Sequence, residues 1–292
     1  MVRLVATFAR GSVAAAVAMG VLACSGRTLI AVDPCPASEL GGADGSTCTA
    51  PVDARSRDGD AAASDRPGQT LRTGLVGLWH LDEGPGATMA ADASGNGNDG
   101  ILMKLDSATA WTTGGHLGNA LAIGAQGYVR VPMSESIASI VSGVTMSAWI
   151  YFEGPVSDYA TALSRQIGTS LGQYYHLSLW QADGEPSMFI TPNLDTAPTR
   201  PTWSVATPVK SWTHLAGTYD GTTANLYVDG NQVASLPVTG MFASDTTPLI
   251  LGGNGNGSAV TELFPGRLDE IALYNRALDS AEIQQLAHAA SF

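Results

Sequence analysis

The chain has 292 residues, with 14 Lys and Arg against 26 Asp and Glu and a formal net charge of −12. Lysine occurs only at Lys104 and Lys210, so the basic surface that neutralises phosphates is lacking and nucleic-acid binding is excluded as a default function. The length suits one large domain or two small ones, and the acidic balance favours solubility without by itself arguing for a bound cation.

Met1 to Arg10 carries Arg3 and Arg10, and Gly11 to Ala23 is small, apolar and free of acidic residues. That is the shape of an export signal. A permanent span needs about 20 apolar residues, more than this run supplies. The run ends in Val21-Leu22-Ala23-Cys24, which resembles the lipobox of bacterial lipoproteins, with Leu22 where a smaller residue is more usual. The resemblance implies residues 1–23 as a lipoprotein signal peptide and acylation of Cys24, with ordinary cleavage near Ala18 or Gly20 as the alternative. Ser25 rather than aspartate follows the cysteine, which in that family points to export and anchoring at the cell envelope, in the outer membrane. Membrane contact is then through the lipid anchor only.

Residues 24–72 are dominated by Ala, Gly, Ser, Pro, Asp and Arg and contain no aromatic residue. So little apolar surface cannot offset the entropy of ordering a backbone, and the stretch reads as a flexible, disordered linker. Charges of both signs at Asp53, Arg55, Arg57, Asp58, Asp60, Asp65 and Arg66 keep it solvated. It contains Cys35 and Cys48, for which an oxidising compartment leads us to expect a disulfide. A zinc site is the weaker alternative, because two thiolates with no nearby histidine leave the ion half coordinated.

After Arg72, short runs of Val, Leu, Ile, Trp and Tyr alternate with Gly, Asn, Asp and Pro, the pattern of an all-β domain. Strands are predicted over residues 145–152, 175–180, 187–191, 212–219, 224–228 and 248–252. Asp220-Gly221 and Asp229-Gly230 sit between strands, where hairpin turns need positive φ at both positions. At the end, Asp279-Ser-Ala-Glu282 is a capping box preceding Ile283, Leu286 and Ala287 at helical spacing. One short C-terminal helix is expected, with Arg276 before it paired to a carboxylate. Residues 73–288 therefore read as a single two-sheet antiparallel jelly-roll sandwich.

The motifs Gly77-Leu-Trp-His-Leu-Asp-Glu-Gly84, Asp92-Ala-Ser-Gly-Asn-Gly-Asn-Asp-Gly100 and Gly118-Asn-Ala-Leu-Ala-Ile123 open the domain. Trp212-Thr-His-Leu-Ala-Gly-Thr-Tyr-Asp-Gly221, Leu226-Tyr-Val-Asp-Gly230 and Gly266-Arg-Leu-Asp-Glu-Ile-Ala-Leu-Tyr-Asn-Arg-Ala-Leu278 close it. In this order they resemble laminin-G-like jelly rolls of the concanavalin-A-like lectin/glucanase superfamily. Related jelly rolls carry a structural Ca2+ between an N-terminal loop and an aspartate of the last strand. By position this implies Asp92 and Asp269, with Asp82 and Asn98 as partners. Calcium suits such oxygen-rich loops, although an Asx-rich loop can equally be held by its own hydrogen bonds.

The same superfamily includes polysaccharide-cleaving enzymes. Retaining glycosidases need paired carboxylates about 5 Å apart, and the Glu-x-Asp-x-Glu triplet of the β-glucanases is absent. Gln166-Ile167 is similar to part of an alginate-lyase motif, but Gly168 stands where that family's catalytic histidine would be. His80, His176 and His214 in strands and His288 in the helix fit no nucleophile or metal motif. No catalytic residue is assigned, and the enzyme reading ranks last.

For binding, alternation over Tyr174–Trp180 puts Tyr175, Leu177 and Leu179 on one face and Tyr174, His176, Ser178 and Trp180 on the other. An aromatic ring covers the C–H face of a sugar while polar groups take its hydroxyls. Tyr159 and Trp203, in flanking stretches, extend this candidate surface, whereas Trp79, Trp149 and Trp212 read as packing residues. The expectation is a surface-displayed, non-catalytic module for carbohydrate recognition or adhesion. The alternative is a structural envelope lipoprotein or one that binds a cell-surface protein.

Overall fold

A computed structural model describes residues 71–289 apart from 125, 156–157, 169–171, 181–183 and 194–197. The signal peptide, the lipidation of Cys24, the Cys35–Cys48 disulfide and almost all of the linker lie outside these residues.

Two antiparallel sheets face each other. The eight-stranded sheet runs β13 (Asn231–Pro237), β12 (Thr223–Val228), β11 (Trp212–Tyr219), β7 (Val144–Phe152), β17 (Gly266–Tyr274), β5 (Asn119–Ala122) and β4 (Trp111–Thr113), with β1 (Leu75–Trp79) also paired to β17. The seven-stranded sheet runs β10 (Glu185–Thr191), β9 (Gln173–Trp180), β8 (Tyr159–Ile167), β14 (Leu249–Leu251), β6 (Tyr128–Val131), β3 (Gly100–Met103) and β2 (Met89–Ala90). A two-stranded ribbon joins β15 (Asn254–Gly255) to β16 (Val260–Thr261). This is the expected all-β jelly-roll sandwich, and each of the six predicted strands is present.

The core follows from strand alternation. Along β7, Val144, Met146, Ala148, Ile150 and Phe152 point inward and are buried, as are Tyr175, Leu177 and Leu179 of β9 and Leu249 and Leu251 of β14. The sheets come so close at Gly217 that a Cβ there would lie 2.7 Å from the Met188 sulfur, which requires glycine. Trp79 is fully buried and its indole N–H donates to the Asn98 carbonyl at 2.9 Å.

Two local expectations are corrected. Asp229 and Gly230 do take positive φ, 48° and 76°, but at the first Asp-Gly only Gly221 does, at 94°. The connection from β11 to β12 has three residues, so the left-handed position falls on the glycine alone, and the Asp220 carboxylate instead accepts from the Thr222 and Thr223 N–H groups. There is also a second helix, α1 (Glu135–Ala138), a single turn capped by the Ser134 hydroxyl. Four residues are too few to show helical periodicity in sequence.

The C-terminal helix α2 (Ser280–His288) carries the predicted capping box, and Glu282 also pairs with Arg276 at 2.7 Å. Leu278, Ile283 and Leu286 pack on Leu78, Ala216, Tyr227, Ala272 and Tyr274. The helix thus covers part of the outer face of the eight-stranded sheet. On β17 a bulge between Asp269 and Ala272 marks where the strand changes partner from β5 to β1.

Candidate functional site

The outer face of the seven-stranded sheet around β8, β9 and β10 gathers four of the five residues singled out for binding. Register places Tyr159 and Glu185 beside Trp180, Thr161 and Ser187 beside Ser178, and Ser164 and Phe189 beside His176. Tyr159, Tyr174 and Trp180 are half-exposed, whereas His176 is 4% exposed and Ser178 is fully buried. The cover over the middle of the face comes from irregular chain. The Thr161 N–H donates to the Glu262 carbonyl and the Ser164 hydroxyl to the Gly253 carbonyl, both at 2.9 Å, so the β15–β16 ribbon leans on β8.

The rings form a continuous set: Tyr159 meets Phe189 edge-on at 5.2 Å, Phe189 lies 4.2 Å from His176, and His176 lies 5.5 Å from Tyr174. The Arg200 guanidinium sits 3.7 Å over the Trp180 ring and donates to the Tyr159 hydroxyl at 3.1 Å. Glu262, held at a φ of 50°, points a carboxylate oxygen to within 3.9 Å of His176 Nδ1. A left-handed conformation costs a residue with a Cβ about 1–2 kcal/mol, so the packing around this carboxylate must hold it in place. The same oxygen accepts from Thr161 at 3.2 Å and Asn254 at 3.0 Å, while burial raises the Glu262 pKa.

His176 is the unusual member. Neither ring nitrogen has a hydrogen-bond partner among the described residues, and burial pushes its pKa down to about 3. A buried polar group without a partner costs about 1–3 kcal/mol and calls for a water or ligand to explain it.

Trp203 does not join this face. Thr199 and Thr202 bridge to Ile190 and Ser187, and the Trp203 N–H donates to the Pro186 carbonyl at 3.0 Å. Segment 199–203 therefore extends the sheet beyond β10, and alternation from Thr202 turns Trp203 to the inner side, where it packs against the core. Phe189, Arg200 and Glu262 were missed. Phe189 was recoverable from the β9–β10 hairpin register, but Arg200 and Glu262 lie outside regular pairing and carried no signal.

The residues proposed for calcium separate into two places. Asp92 shapes its own loop: one oxygen accepts from the Leu78 and Ser94 N–H groups and the other from the Ser94 hydroxyl and the Asn98 N–H, at 2.8–3.0 Å. Asn98 donates to the Val76 carbonyl and the Ser136 hydroxyl. Asp82 and Asp269 instead brace the turn between β4 and β5, accepting from the Asn119 N–H at 2.7 Å and the Leu117 N–H at 3.0 Å. Asp269 also accepts from the Glu270 N–H, and burial lifts its pKa to about 7. Among the described residues no three His, Cys, Asp or Glu side chains group as a metal cage. Both Asp92 oxygens are taken up by N–H and O–H donors, and Asp82 and Asp269 lie at the other turn. The four therefore do not converge on one centre of six to eight oxygen ligands, although the buried Asn98 Oδ1 has no hydrogen-bond partner among the described residues.

Residues 123–284, more than half of the chain, match a laminin-G-type family model described as the concanavalin A-like lectin/glucanases superfamily. Among solved structures, the chain is similar to domain 4 of AbnA, a GH43 extracellular arabinanase from Geobacillus stearothermophilus in complex with arabinotriose. Identity is 20% and the TM-score 0.57, over 73% of this chain and 98% of that one. It is also similar to the binding domain of Paraclostridial Mosquitocidal Protein 1, at 19% identity and a TM-score of 0.56, over 75% of this chain and 53% of that one. A Trypanosoma rangeli sialidase shares 17% identity at a TM-score of 0.54, over 74% of this chain and 32% of that one. At these identities the likeness is one of fold. No curated protein matches the sequence. On the family match, the chain belongs to the concanavalin A-like lectin/glucanases superfamily.

Proposed function

We propose that the chain is a non-catalytic module that recognises a carbohydrate through the outer face of β8, β9 and β10, and that acylation of Cys24 displays it at the cell envelope. One observation carries the reading: partly exposed Tyr159, Tyr174 and Trp180 share a face with the buried imidazole of His176, which has no hydrogen-bond partner among the described residues, and Arg200 and Glu262 lie on the same face. Rings supply the stacking surface for sugar C–H groups, and the guanidinium, carboxylate and hydroxyls supply the directional bonds. The arabinanase domain of the same architecture was solved with arabinotriose, which supports the ligand class by analogy of fold alone.

Catalysis is ranked below binding because neither catalytic motif of the superfamily's enzymes noted above is complete in the sequence. The test is a glycan array on the full chain, followed by titration of the best ligand. Trp180→Ala is expected to weaken binding at least tenfold, about 1.4 kcal/mol, with the fold retained but a modestly lower melting temperature, since the ring is partly exposed and also loses its stacking with Arg200. Wild-type affinity in that variant contradicts the site. Silence of the folded protein on a broad array would turn the assignment to a protein partner, and release of reducing ends or unsaturated products would make it an enzyme. Display is tested separately, since Cys24→Ser should move the protein from the membrane to the soluble fraction.

A further inference from the structure

The outer face of the eight-stranded sheet is divided. One part lies beneath α2, but the part formed by the end of β7, the start of β11 and the first half of β17 carries aromatic rings instead of the small or polar residues that an open sheet face favours. Tyr151 pairs with Trp212 and Arg267 in one row, and Trp149 with His214 and Asp269 in the next. Trp149, Tyr151 and Trp212 are all half-exposed.

We propose that this patch is a second saccharide site, separate from the β8–β10 face, which takes a neutral glycan chain with Trp212 and Tyr151 as its stacking rings. The two rings lie 5.4 Å apart, tilted by 58°. His116 lies flat on Trp149 at 3.4 Å and presents its edge to Trp212 at 6.5 Å, which prolongs the platform.

Two further features point to a ligand. His214 is 1% exposed, its ring lies 5.4 Å from that of Trp149, and it shares a hydrogen bond at Nε2 with Ser147 at 2.8 Å, yet its Nδ1 has no partner among the described residues. The turn that carries His116 is also pinned from two sides. Asp82 accepts from Asn119, Asp269 accepts from Leu117, and a Cβ on Gly115 would approach the Asp269 carboxylate to 2.7 Å. A turn anchored by two carboxylates keeps the imidazole against the indole before any ligand arrives, and such preorganisation lowers the entropy cost of binding.

Charge on this face selects the ligand class. Arg267 lies over Tyr151 at 4.8 Å and is paired with Glu153 at 3.2 Å, and His80 is paired with Glu270 at 3.0 Å. With Arg267 and His80 already matched by carboxylates on a chain of net charge −12, these two groups favour a neutral chain over a uronate or sulfate and still offer hydrogen bonds to hydroxyls. Exposed Lys210 stands at the edge of the patch, which is why uronate-containing oligosaccharides enter the test.

The inference does not require the β8–β10 face to bind, and one experiment separates the two. The full chain and its Trp212→Ala, Trp212→Phe and Trp180→Ala variants are titrated with neutral arabinan, xylan, glucan and galactan oligosaccharides and with uronate-containing ones, with folding checked by melting temperature. The expected result is binding of at least one neutral oligosaccharide that falls tenfold or more in Trp212→Ala, is largely restored in Trp212→Phe and survives in Trp180→Ala. Unchanged binding of every neutral oligosaccharide in Trp212→Ala overturns the proposal, as does failure of the wild type to bind any of them. Should Trp212→Ala not fold, Tyr151→Ser and Trp212→Phe carry the same comparison. Loss in Trp180→Ala alone would leave only the first site standing.

Discussion

At the level of single residues, two histidines behave as neutral ring groups. His176 and His214 both have folded pKa values pushed down to about 3 from 6.5, chiefly by burial. Between those pH values the unfolded chain binds a proton on each that the folded chain refuses, so this part of the stability is full above about pH 6.5 and is lost on acidification. Asp269 and Glu262, whose pKa values are raised, act in the opposite sense. The useful quantity is therefore a difference. Wild type should lose more stability than His176→Phe between pH 7 and pH 4 in denaturant titrations, and parallel pH curves would contradict the neutral, buried imidazole. The position of this residue was only half legible in the sequence. Strand alternation assigns His176 to the face opposite Leu177, but what lies over that face depends on the β15–β16 ribbon, which is distant in sequence. Trp203 shows the complementary limit, because its side was decided by an edge pairing of segment 199–203 with β10 that no local pattern announces.

Among the elements, strands and caps were the most legible features because their causes are local. Alternating apolar residues define β7, β9 and β11, and Asp279 with Glu282 defines the start of α2 through reciprocal bonds to each other's backbone N–H. Asp279→Ala should cost about 1 kcal/mol, measured as a lower urea midpoint with an unchanged slope. No loss would mean that Arg276 and Glu282 hold the helix without the cap. The Asp92 loop teaches a different lesson. Dense Asp, Asn and Gly residues are equally compatible with an ion cage and with a self-bonded turn, and composition does not distinguish them. Here Asp92 receives four donors from Leu78, Ser94 and Asn98, so a chelator should leave the melting temperature unchanged. A fall of several degrees in EDTA, reversed by calcium, would contradict that account.

For the molecule as a whole, the ordered motifs from Gly77 to Leu278 made the jelly roll readable, since they spell out the strands and turns that every member of this architecture needs. The ligand site was less readable for the same reason: a shared framework says where side chains project and leaves open what they bind. The two outer faces differ in a way that follows from their cover. One is overlain by a ribbon that buries its centre, while the other is partly roofed by α2 and leaves Trp149, Tyr151 and Trp212 half-exposed. The most direct test of carbohydrate recognition at β8–β10 is to follow the indole N–H resonances of the full chain as the best glycan from the array is added. The account predicts a saturable shift of Trp180, with Trp79, sealed in the core, unmoved. Saturable binding that leaves the Trp180 resonance in place would contradict it.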